Sequence, residues 1–154
     1  MKLKTRILQF LGVAAIATIG MTSCDTDACA DVECGDNGTC LTGDCICDAG
    51  YSGTNCDVAW TTAFEGTYAG IDTCGFAYES TVATTAVLNE LKFSNAFGTD
   101  ATGTATVTSA TAVTFDNETI NTYVITAATG TLNGNVLTVD YTIDGDACQV
   151  VYIK

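Results

Sequence analysis

The chain has 154 residues, which is enough for one ordinary domain or two small ones. It contains no histidine, so a histidine-based catalytic triad and a histidine-ligated zinc or haem site are excluded. Five basic residues against 18 acidic ones give a formal net charge of -13, which excludes nucleic acid as a partner because its phosphates would be repelled. Nine cysteines indicate an oxidising compartment in which disulfide bonds form.

Residues 1–23 have the features of an export signal. Three basic residues among the first six precede an apolar run over 7–21, which is too short to span a membrane comfortably. The run ends in Met21-Thr22-Ser23-Cys24, which resembles the lipobox of bacterial lipoproteins. That resemblance implies cleavage before Cys24 and attachment of the lipid to this cysteine. The alternative is ordinary signal cleavage, with Cys24 left free or disulfide-bonded.

Residues 24–28 are predicted to form a lipidated acidic tether. The odd number of cysteines supports lipidation, because removing Cys24 leaves eight that can all pair. Asp25 and Asp27 resemble the surface-export signal of Bacteroidota lipoproteins, which implies an outer-membrane protein at the cell surface. A flexible acidic spacer is the alternative. After Cys24 only Lys92 and Lys154 are basic, so the processed protein is strongly acidic.

Residues 29–57 carry six cysteines, and six cysteines allow fifteen pairings, so their spacing alone leaves the connectivity open. The segment from Cys47 to Cys56 resembles the C-x-C-x-x-G-Y-x-G-x-x-C ending of EGF-like domains, with Gly50 and Gly53 flanking an exposed Tyr51 in a tight hairpin. A zinc-binding cysteine cluster is the alternative, and the export signal disfavours it. The EGF resemblance implies three bonds: Cys29 with Cys40, Cys34 with Cys45, and Cys47 with Cys56.

The resemblance to EGF-like domains also raises calcium as a ligand. Asp25 and Asp27 place two carboxylates before the first cysteine, and calcium prefers oxygen ligands. Calcium-binding members carry Glu or Gln directly before that cysteine, where this chain has Ala28, and their interval between the third and fourth cysteines is longer. We therefore expect a disulfide-stabilised spacer or interaction surface without a cofactor, and keep Asp25 and Asp27 as weak calcium candidates.

Residues 60–154 are rich in threonine and β-branched residues and contain no proline, which favours pleated strands. Their short spacing indicates antiparallel hairpins. We predict an all-β chain, in which the disulfide-rich EGF-like module precedes a small antiparallel β-barrel or sandwich. Eight candidate strands cover Gly66–Cys74, Tyr78–Val87, Leu91–Asn95, Gly103–Thr108, Thr111–Phe115, Thr122–Leu132, Val136–Ile143 and Ala147–Ile153.

Three turns are predicted between these strands. Asn133-Gly134 suits a type I′ turn, and Asp116-Asn117-Glu118 and Asp144-Gly145-Asp146 are the next candidates. The strand over 136–143 alternates most clearly, so its apolar side chains should face the core.

The two remaining cysteines, Cys74 and Cys148, lie near the two ends of this domain. A bond between them closes the domain and contributes about 4 kcal/mol in the chain-entropy model. It favours a closed barrel, although a sandwich also brings such strands together. Gly66-Thr67-Tyr68 resembles the G-x-W start of lipocalin-like barrels, which implies an alternative function as a carrier of a small apolar ligand in the periplasm or at the surface.

Catalysis by this chain would depend on carboxylates. Glu65 with Glu79, or Glu90 with Glu118, are candidate acid and base pairs, but nothing in the spacing selects either pair. Solvated acidic side chains explain the same residues, so we expect no enzyme activity. A metal site around the acidic turn is the weaker interpretation of its three carboxylates: Asp140, Asp144 and Asp146.

The sequence therefore favours a membrane-anchored surface lipoprotein that acts as a noncatalytic binding or adhesion module. Its partner would be a surface protein, a peptide or a glycan, besides the membrane itself. A lipocalin-like carrier and a calcium-binding EGF-type protein are the alternatives. Exposed aromatic residues supply much contact area, and core packing is the competing role for each of four candidates: Tyr51, Trp60, Tyr68 and Tyr78.

Overall fold

The computed structural model describes residues 28–154. The predicted export signal, the lipidation site Cys24 and the calcium candidates Asp25 and Asp27 lie outside the described residues. The described chain is nearly all β-structure, which confirms the predicted fold class. Within residues 28–154, no helix is both long enough and apolar enough to cross a bilayer.

The amino-terminal module consists of two small antiparallel ladders. Strand β1 (Gly38–Leu41) pairs with β2 (Asp44–Cys47), and β3 (Tyr51–Ser52) pairs with β4 (Val58–Ala59). A module this small buries little apolar surface, so its disulfides carry much of its stability. Three bonds join the same pairs that the EGF resemblance implies: Cys29 with Cys40, Cys34 with Cys45, and Cys47 with Cys56.

The rest of the chain is a closed antiparallel barrel. Each strand pairs with the next one along the chain, and the last strand pairs with the first, so the ladder closes with eight strands when the interrupted β9 and β10 count as one. This distinguishes a barrel from the sandwich. The strands are β5 (Gly66–Asp72), β6 (Ala77–Thr84), β7 (Glu90–Phe93), β8 (Gly103–Ser109), β9 (Ala112–Phe115), β10 (Glu118–Ile120), β11 (Tyr123–Asn133), β12 (Val136–Ile143) and β13 (Asp146–Ile153).

The two ends of the barrel differ. The proximal end is the end next to the amino-terminal module, where β5 begins and β6 ends. A 3-10 helix over Trp60–Ala63 leads directly from β4 to this end, and the fully buried Phe64 follows it. The distal end carries a second 3-10 helix, Ala96–Gly98, and the disulfide between Cys74 and Cys148, whose Cα atoms lie 5.7 Å apart.

Aromatic side chains pack the interior of the barrel. An eight-stranded barrel is just wide enough for inward-facing side chains to fill it. The ring of Tyr152 contacts those of Tyr68 and Phe93, with centroids 6.1 and 6.5 Å away, and Phe93 lies 4.9 Å from Phe115. These four residues are each at most 6 % exposed. The alternation predicted for β12 is confirmed, because Leu137, Val139 and Tyr141 are buried in the same core.

The turns differ from the sequence prediction in two places. The centre of the β11–β12 hairpin is Gly134-Asn135, one residue later than predicted, because Asn133 pairs with Val136. Gly134 alone has positive φ there, +59°, which suits a type II′ turn with glycine at its first central position. In contrast, Asp144 and Gly145 both have positive φ, as a type I′ turn requires.

The chain does not reverse its direction at Asp116-Asn117-Glu118, so the turn predicted there is wrong. β9 and β10 both pair antiparallel with β11, so the chain keeps its direction across 116–117. The reversal comes later, where Asn121 has a φ of +56°. The Asn117 side chain accepts a hydrogen bond from the backbone N–H of Ala127 (3.0 Å), within the irregular segment of β11. The interruption therefore lies opposite a β-bulge.

Candidate functional site

The amino-terminal module and the barrel meet at the proximal end through direct contacts. The backbone N–H of Trp60 donates to the carbonyl of Gly50 at 2.9 Å, which ties the start of the 3-10 helix to the module. Gly50 has a φ of +102° and lies against the side chain of Asn89, which precedes β7. The Asn89 backbone carbonyl accepts from Val107 of β8 at 2.7 Å. Asn89 thus connects the module to two barrel strands.

A cleft of about 410 Å³ lies at this junction, and we call it the junction cleft. Pockets of about 300–1,000 Å³ are the usual size of ligand sites. Its walls come from β3 and β4 of the module, the 3-10 helix, and the loop that joins β6 to β7. The lining residues are Tyr51, Ala59, Thr61, Thr62, Glu65, Thr84, Thr85, Ala86, Val87, Leu88 and Asn89.

Hydrogen bonds hold the polar groups of the junction cleft in place. The Glu65 carboxylate accepts from the Thr84 hydroxyl at 2.8 Å and from the Thr84 backbone N–H at 3.4 Å. The Thr85 hydroxyl donates to the Glu90 carboxylate at 2.8 Å and accepts from the Val87 N–H at 3.0 Å. Two adjacent threonines therefore each orient a glutamate, and the second also shapes the loop.

The same cleft has an apolar edge. Val87 and Leu88 are 60 % and 54 % exposed, in a loop where most neighbouring side chains are polar. Tyr51 of the module is half-buried, rather than exposed as the sequence predicted. The carboxamide oxygen of Asn89 is buried and has no hydrogen-bond partner among the described residues. The cleft thus combines aliphatic contact area with hydroxyl, carboxylate and amide groups.

Sequence reasoning missed this cleft because its residues come from three segments. The predicted strand over Tyr78–Val87 runs three residues too far, since β6 ends at Thr84. The signal was the loss of alternation after that threonine, where Thr85-Ala86-Val87-Leu88 has no period of two. No local pattern indicates that this loop lies next to Glu65.

The barrel interior contains a polar cluster near its distal end. Asp72 is only 6 % exposed, and its carboxylate accepts hydrogen bonds from the Tyr141 hydroxyl and from the Cys74 backbone N–H (2.6 Å). The Tyr78 and Tyr152 hydroxyls lie 3.3 Å apart. The Asp72 carboxylate thus has two hydrogen-bond donors, as a buried polar group requires.

Burial raises the pKa of every tyrosine in this distal cluster. Desolvation is the main cause for Tyr78 and Tyr141, and the hydrogen bond to Asp72 raises the pKa of Tyr141 further. Desolvation raises the pKa of Tyr152 to about 12, although its hydrogen bond to Tyr78 acts in the opposite direction. These phenols stay protonated at neutral pH and act there as hydrogen-bonding groups.

One group of possible metal ligands occurs among the described residues: Asp72, Cys74 and Cys148. Both sulfur atoms are joined in a disulfide, so neither is a thiolate. This group therefore offers a single carboxylate, which already accepts from Tyr141 and from the Cys74 N–H.

Two of the three acidic-turn carboxylates accept local hydrogen bonds. Asp140 accepts from the Gln149 side chain at 2.7 Å, and Asp144 accepts from the Val124 N–H at 2.9 Å. Asp146 begins β13 and pairs with Ile143 across the hairpin. These contacts explain the residues as strand and turn elements.

Neither candidate glutamate pair is brought together. Glu65 lies beside the end of β6, whereas Glu79 pairs with Ala69 in the middle of the β5–β6 ladder. Glu90 begins β7 at the proximal end, whereas Glu118 begins β10 and lies near the first residue of β8. Burial raises the pKa of Glu118, but Glu90, its predicted partner, lies at the other end of the barrel.

The four aromatic candidates fall into two groups. Tyr51 lines the junction cleft, and Trp60 is the neighbour of two lining residues and packs partly against the core. Tyr68 is fully buried, with its hydroxyl donating to the Phe64 carbonyl at 2.8 Å, so of its two candidate roles the structure supports core packing and contradicts surface contact. Tyr78 is partly buried in the distal cluster.

Comparison with known proteins gives one match. The profile of a family described as the teneurin-like EGF domain matches residues 29–59. No curated protein matches the chain, and no solved structure matches it. The match covers the three disulfides over 29–56 and strands β1 to β4. The amino-terminal module is therefore EGF-like and similar to the teneurin-like EGF domain.

Proposed function

We propose that this chain is an exported, lipid-anchored surface protein that acts as a noncatalytic binding or adhesion module. The observation that carries the proposal is the junction cleft, which an EGF-like module and a barrel build together. Each unit contributes a wall, and the contacts of Gly50 with Trp60 and Asn89 fix their relation. A site assembled in this way is oriented before its ligand arrives, which lowers the entropic cost of binding.

The packing of the barrel supports binding at its surface over transport in its interior. A carrier of a small apolar ligand needs an internal cavity, whereas here Phe93, Phe115, Tyr68 and Tyr152 contact one another across the core. The junction cleft, in contrast, opens outside the barrel, and its lining residues are exposed or half-buried except for Thr61.

Cysteine usage supports export and lipidation. Eight of the nine cysteines are paired in four disulfides, which form and persist in oxidising compartments. Cys24 is the ninth, and it follows the lipobox-like tripeptide directly. A multiply acylated cysteine at this position holds the module at a membrane surface, with Asp25 to Ala28 as the spacer.

Lipidation and location are tested on growing cells. Metabolic labelling with an alkyne fatty acid is expected to mark the wild-type protein and not the Cys24→Ala variant. Protease treatment of intact cells is expected to release peptides from residues 60–154. Labelling that survives Cys24→Ala, or protection of the barrel until the outer membrane is permeabilised, contradicts the anchored surface location.

Binding through the junction cleft is tested with a variant that fills it. Ala86 is an exposed lining residue, so Ala86→Trp obstructs the cleft without entering the core. Ala147→Trp is the control, because Ala147 is exposed at the opposite end of the barrel. Intact cells are compared for retention on surfaces coated with proteins and glycans of neighbouring cells. Loss of retention in Ala86→Trp alone supports the proposal, and equal retention of both variants contradicts it.

A further inference from the structure

The polar lining of the junction cleft has an unusual balance of charge. It contains one carboxylate, Glu65, several threonine hydroxyls and the Asn89 amide, but no basic side chain. The basic residues among the described residues are Lys92 and Lys154. Lys154 lies next to the cleft without lining it: its Nζ donates to the carbonyl of Ala63, between Thr62 and Glu65, at 3.2 Å, and lies 5.5 Å above the Tyr68 ring. No lining side chain carries a positive charge that would pair with an anionic ligand, and the net charge of the chain repels one.

The hydrogen-bonding capacity of the lining is matched to hydroxyl groups. A carboxylate accepts about four hydrogen bonds, and Thr84 supplies two donors to Glu65, so the carboxylate retains capacity for donors from a ligand. Threonine hydroxyls donate and accept, and the lining also contains the exposed Thr62 and the buried Thr61. A ligand that carries many hydroxyls satisfies these groups in both directions.

The apolar edge fits the other property of a sugar ring, its C–H face. Leu88 and Val87 are more than half exposed, and the half-buried Tyr51 belongs to the part of the lining that the module supplies. Sugar rings combine one apolar face with a rim of hydroxyls, so they fit a site where aliphatic and hydroxyl groups alternate. A cleft of about 410 Å³ has room for a short oligosaccharide segment.

We infer that the junction cleft binds a short, neutral glycan. This inference rests on the proposed binding function and names the ligand class of the same site. The main competitor is a cationic peptide, which would pair with Glu65. The structure favours the glycan, because the lining contains one carboxylate against four threonines and Glu90 is turned towards Thr85, so the cleft does not present a cluster of carboxylates.

The chain provides its own reporter for binding. Trp60 is the sole tryptophan and lies between the lining residues Ala59 and Thr61. The full chain, purified from membranes in a detergent without sugar groups, is titrated with cellotriose, chitotriose or mannotriose while Trp60 fluorescence is recorded. At least one trisaccharide is expected to give a saturable change, with a Kd that stays constant when salt rises, because no charges pair.

Two variants and one matched control locate the response. Glu65→Gln keeps the shape but weakens acceptance from ligand hydroxyls, so Kd is expected to rise about five- to tenfold. Leu88→Asn removes apolar contact area and is expected to weaken binding by a similar factor. Glu79→Gln changes an exposed glutamate on the outer face of β6, away from the cleft, and should leave Kd within about twofold.

Three outcomes overturn the inference. One is the lack of a saturable response to any of the three trisaccharides. The second is a response that Glu65→Gln and Glu79→Gln change equally. The third is binding of trilysine that salt weakens and Glu65→Gln abolishes, which assigns the cleft to cationic peptides. If cell retention is lost in Ala86→Trp and yet is not inhibited by any trisaccharide, that result contradicts the glycan as ligand and leaves the proposed binding function intact.

Discussion

At the scale of single residues, the hydrogen bond from Tyr141 to Asp72 is a buried contact that stabilises the distal end of the barrel. Asp72 is 6 % exposed, and its carboxylate accepts from Tyr141 and from the Cys74 N–H. Tyr141→Phe removes one of these donors and leaves a buried charge less well solvated. We expect the free energy of unfolding to fall by about 1–3 kcal/mol.

Urea unfolding followed by circular dichroism measures this loss. Tyr123→Phe is the matched control, because it removes the same hydroxyl from a tyrosine that is 41 % exposed in the β10–β11 hairpin. A change of at most about 0.5 kcal/mol is expected there. Equal losses in both variants would show that the hydroxyl of Tyr141 has no special role.

Gly50 has a backbone conformation that favours glycine, and it lies at the contact between the module and the barrel. Its φ of +102° disfavours any residue with a Cβ, and a Cβ built there would lie 2.7 Å from the Asn89 carboxamide oxygen. Gly145 has a nearly equal φ, +96°, with no atom within 4 Å of its Cβ position. Gly145→Ala therefore measures the cost of conformation alone, while Gly50→Ala measures conformation plus collision.

We expect Gly145→Ala to lower the free energy of unfolding by about 1 kcal/mol, and Gly50→Ala to lower it by about 1–3 kcal/mol more. The collision should also move the module relative to Trp60, whose N–H donates to the Gly50 carbonyl. Tryptophan fluorescence should therefore shift in Gly50→Ala and not in Gly145→Ala. Equal stabilities and identical spectra would mean that Asn89 adjusts without cost.

At the scale of elements, most barrel strands were predictable because their side chains alternate. β12 presents Leu137, Val139 and Tyr141 to the core, so a period of two identified both the strand and its inward face. The C-x-C-x-x-G-Y-x-G-x-x-C ending of the module was equally informative, because its spacing is specific. Patterns of this kind are local, and a local pattern can be read from neighbouring residues.

The elements that escaped prediction depend on pairing between distant segments. Ala127 has a φ of +53° because one extra residue of β11 is accommodated between Thr126 and Thr129, and an alanine gives no sign of that bulge. Asn117 looks like a turn residue, yet it accepts from Ala127 across the ladder. The junction cleft is similar, because Glu65 and Thr84 meet only once β5 and β6 have paired.

The disulfide between Cys74 and Cys148 joins the β5–β6 turn to β13, the strand that closes the barrel on β5. The two cysteines are 74 positions apart, so the bond removes much of the freedom of the unfolded chain. Replacing both cysteines by alanine is expected to lower the free energy of unfolding by about 4 kcal/mol. The double change avoids leaving one reactive thiol.

The control for this bond is Thr73→Ala. Thr73 lies beside Cys74, and its hydroxyl accepts from the Gln149 N–H at 2.9 Å, so the change removes one contact between the same two segments. Its expected cost is about 1 kcal/mol. The midpoints of urea unfolding compare the two variants. A double variant that loses no more than Thr73→Ala does would show that strand pairing alone closes the barrel.

At the scale of the whole molecule, the tyrosines of the distal cluster couple stability to alkaline pH. An unfolded tyrosine loses its proton near its ordinary pKa of 10.0, whereas folding raises the pKa of Tyr152 to about 12. Between these values the unfolded chain binds fewer protons than the folded one, so stability falls as pH rises. Tyr78 and Tyr141 act in the same direction, since burial raises the pKa of each.

The barrel should therefore keep its full stability below about pH 10. Above that pH, the free energy of unfolding should fall by about 1.4 kcal/mol per pH unit for each tyrosine that stays protonated in the folded barrel. Urea unfolding between about pH 9 and 11.5, without added thiol, measures the slope. Tyr152→Phe removes one titrating group and should make the slope shallower by about that amount. Because the slope compares each variant with itself at different pH, a general loss of stability in Tyr152→Phe does not affect it. An unchanged slope in Tyr152→Phe would show that this phenol ionises as readily in the barrel as in the unfolded chain.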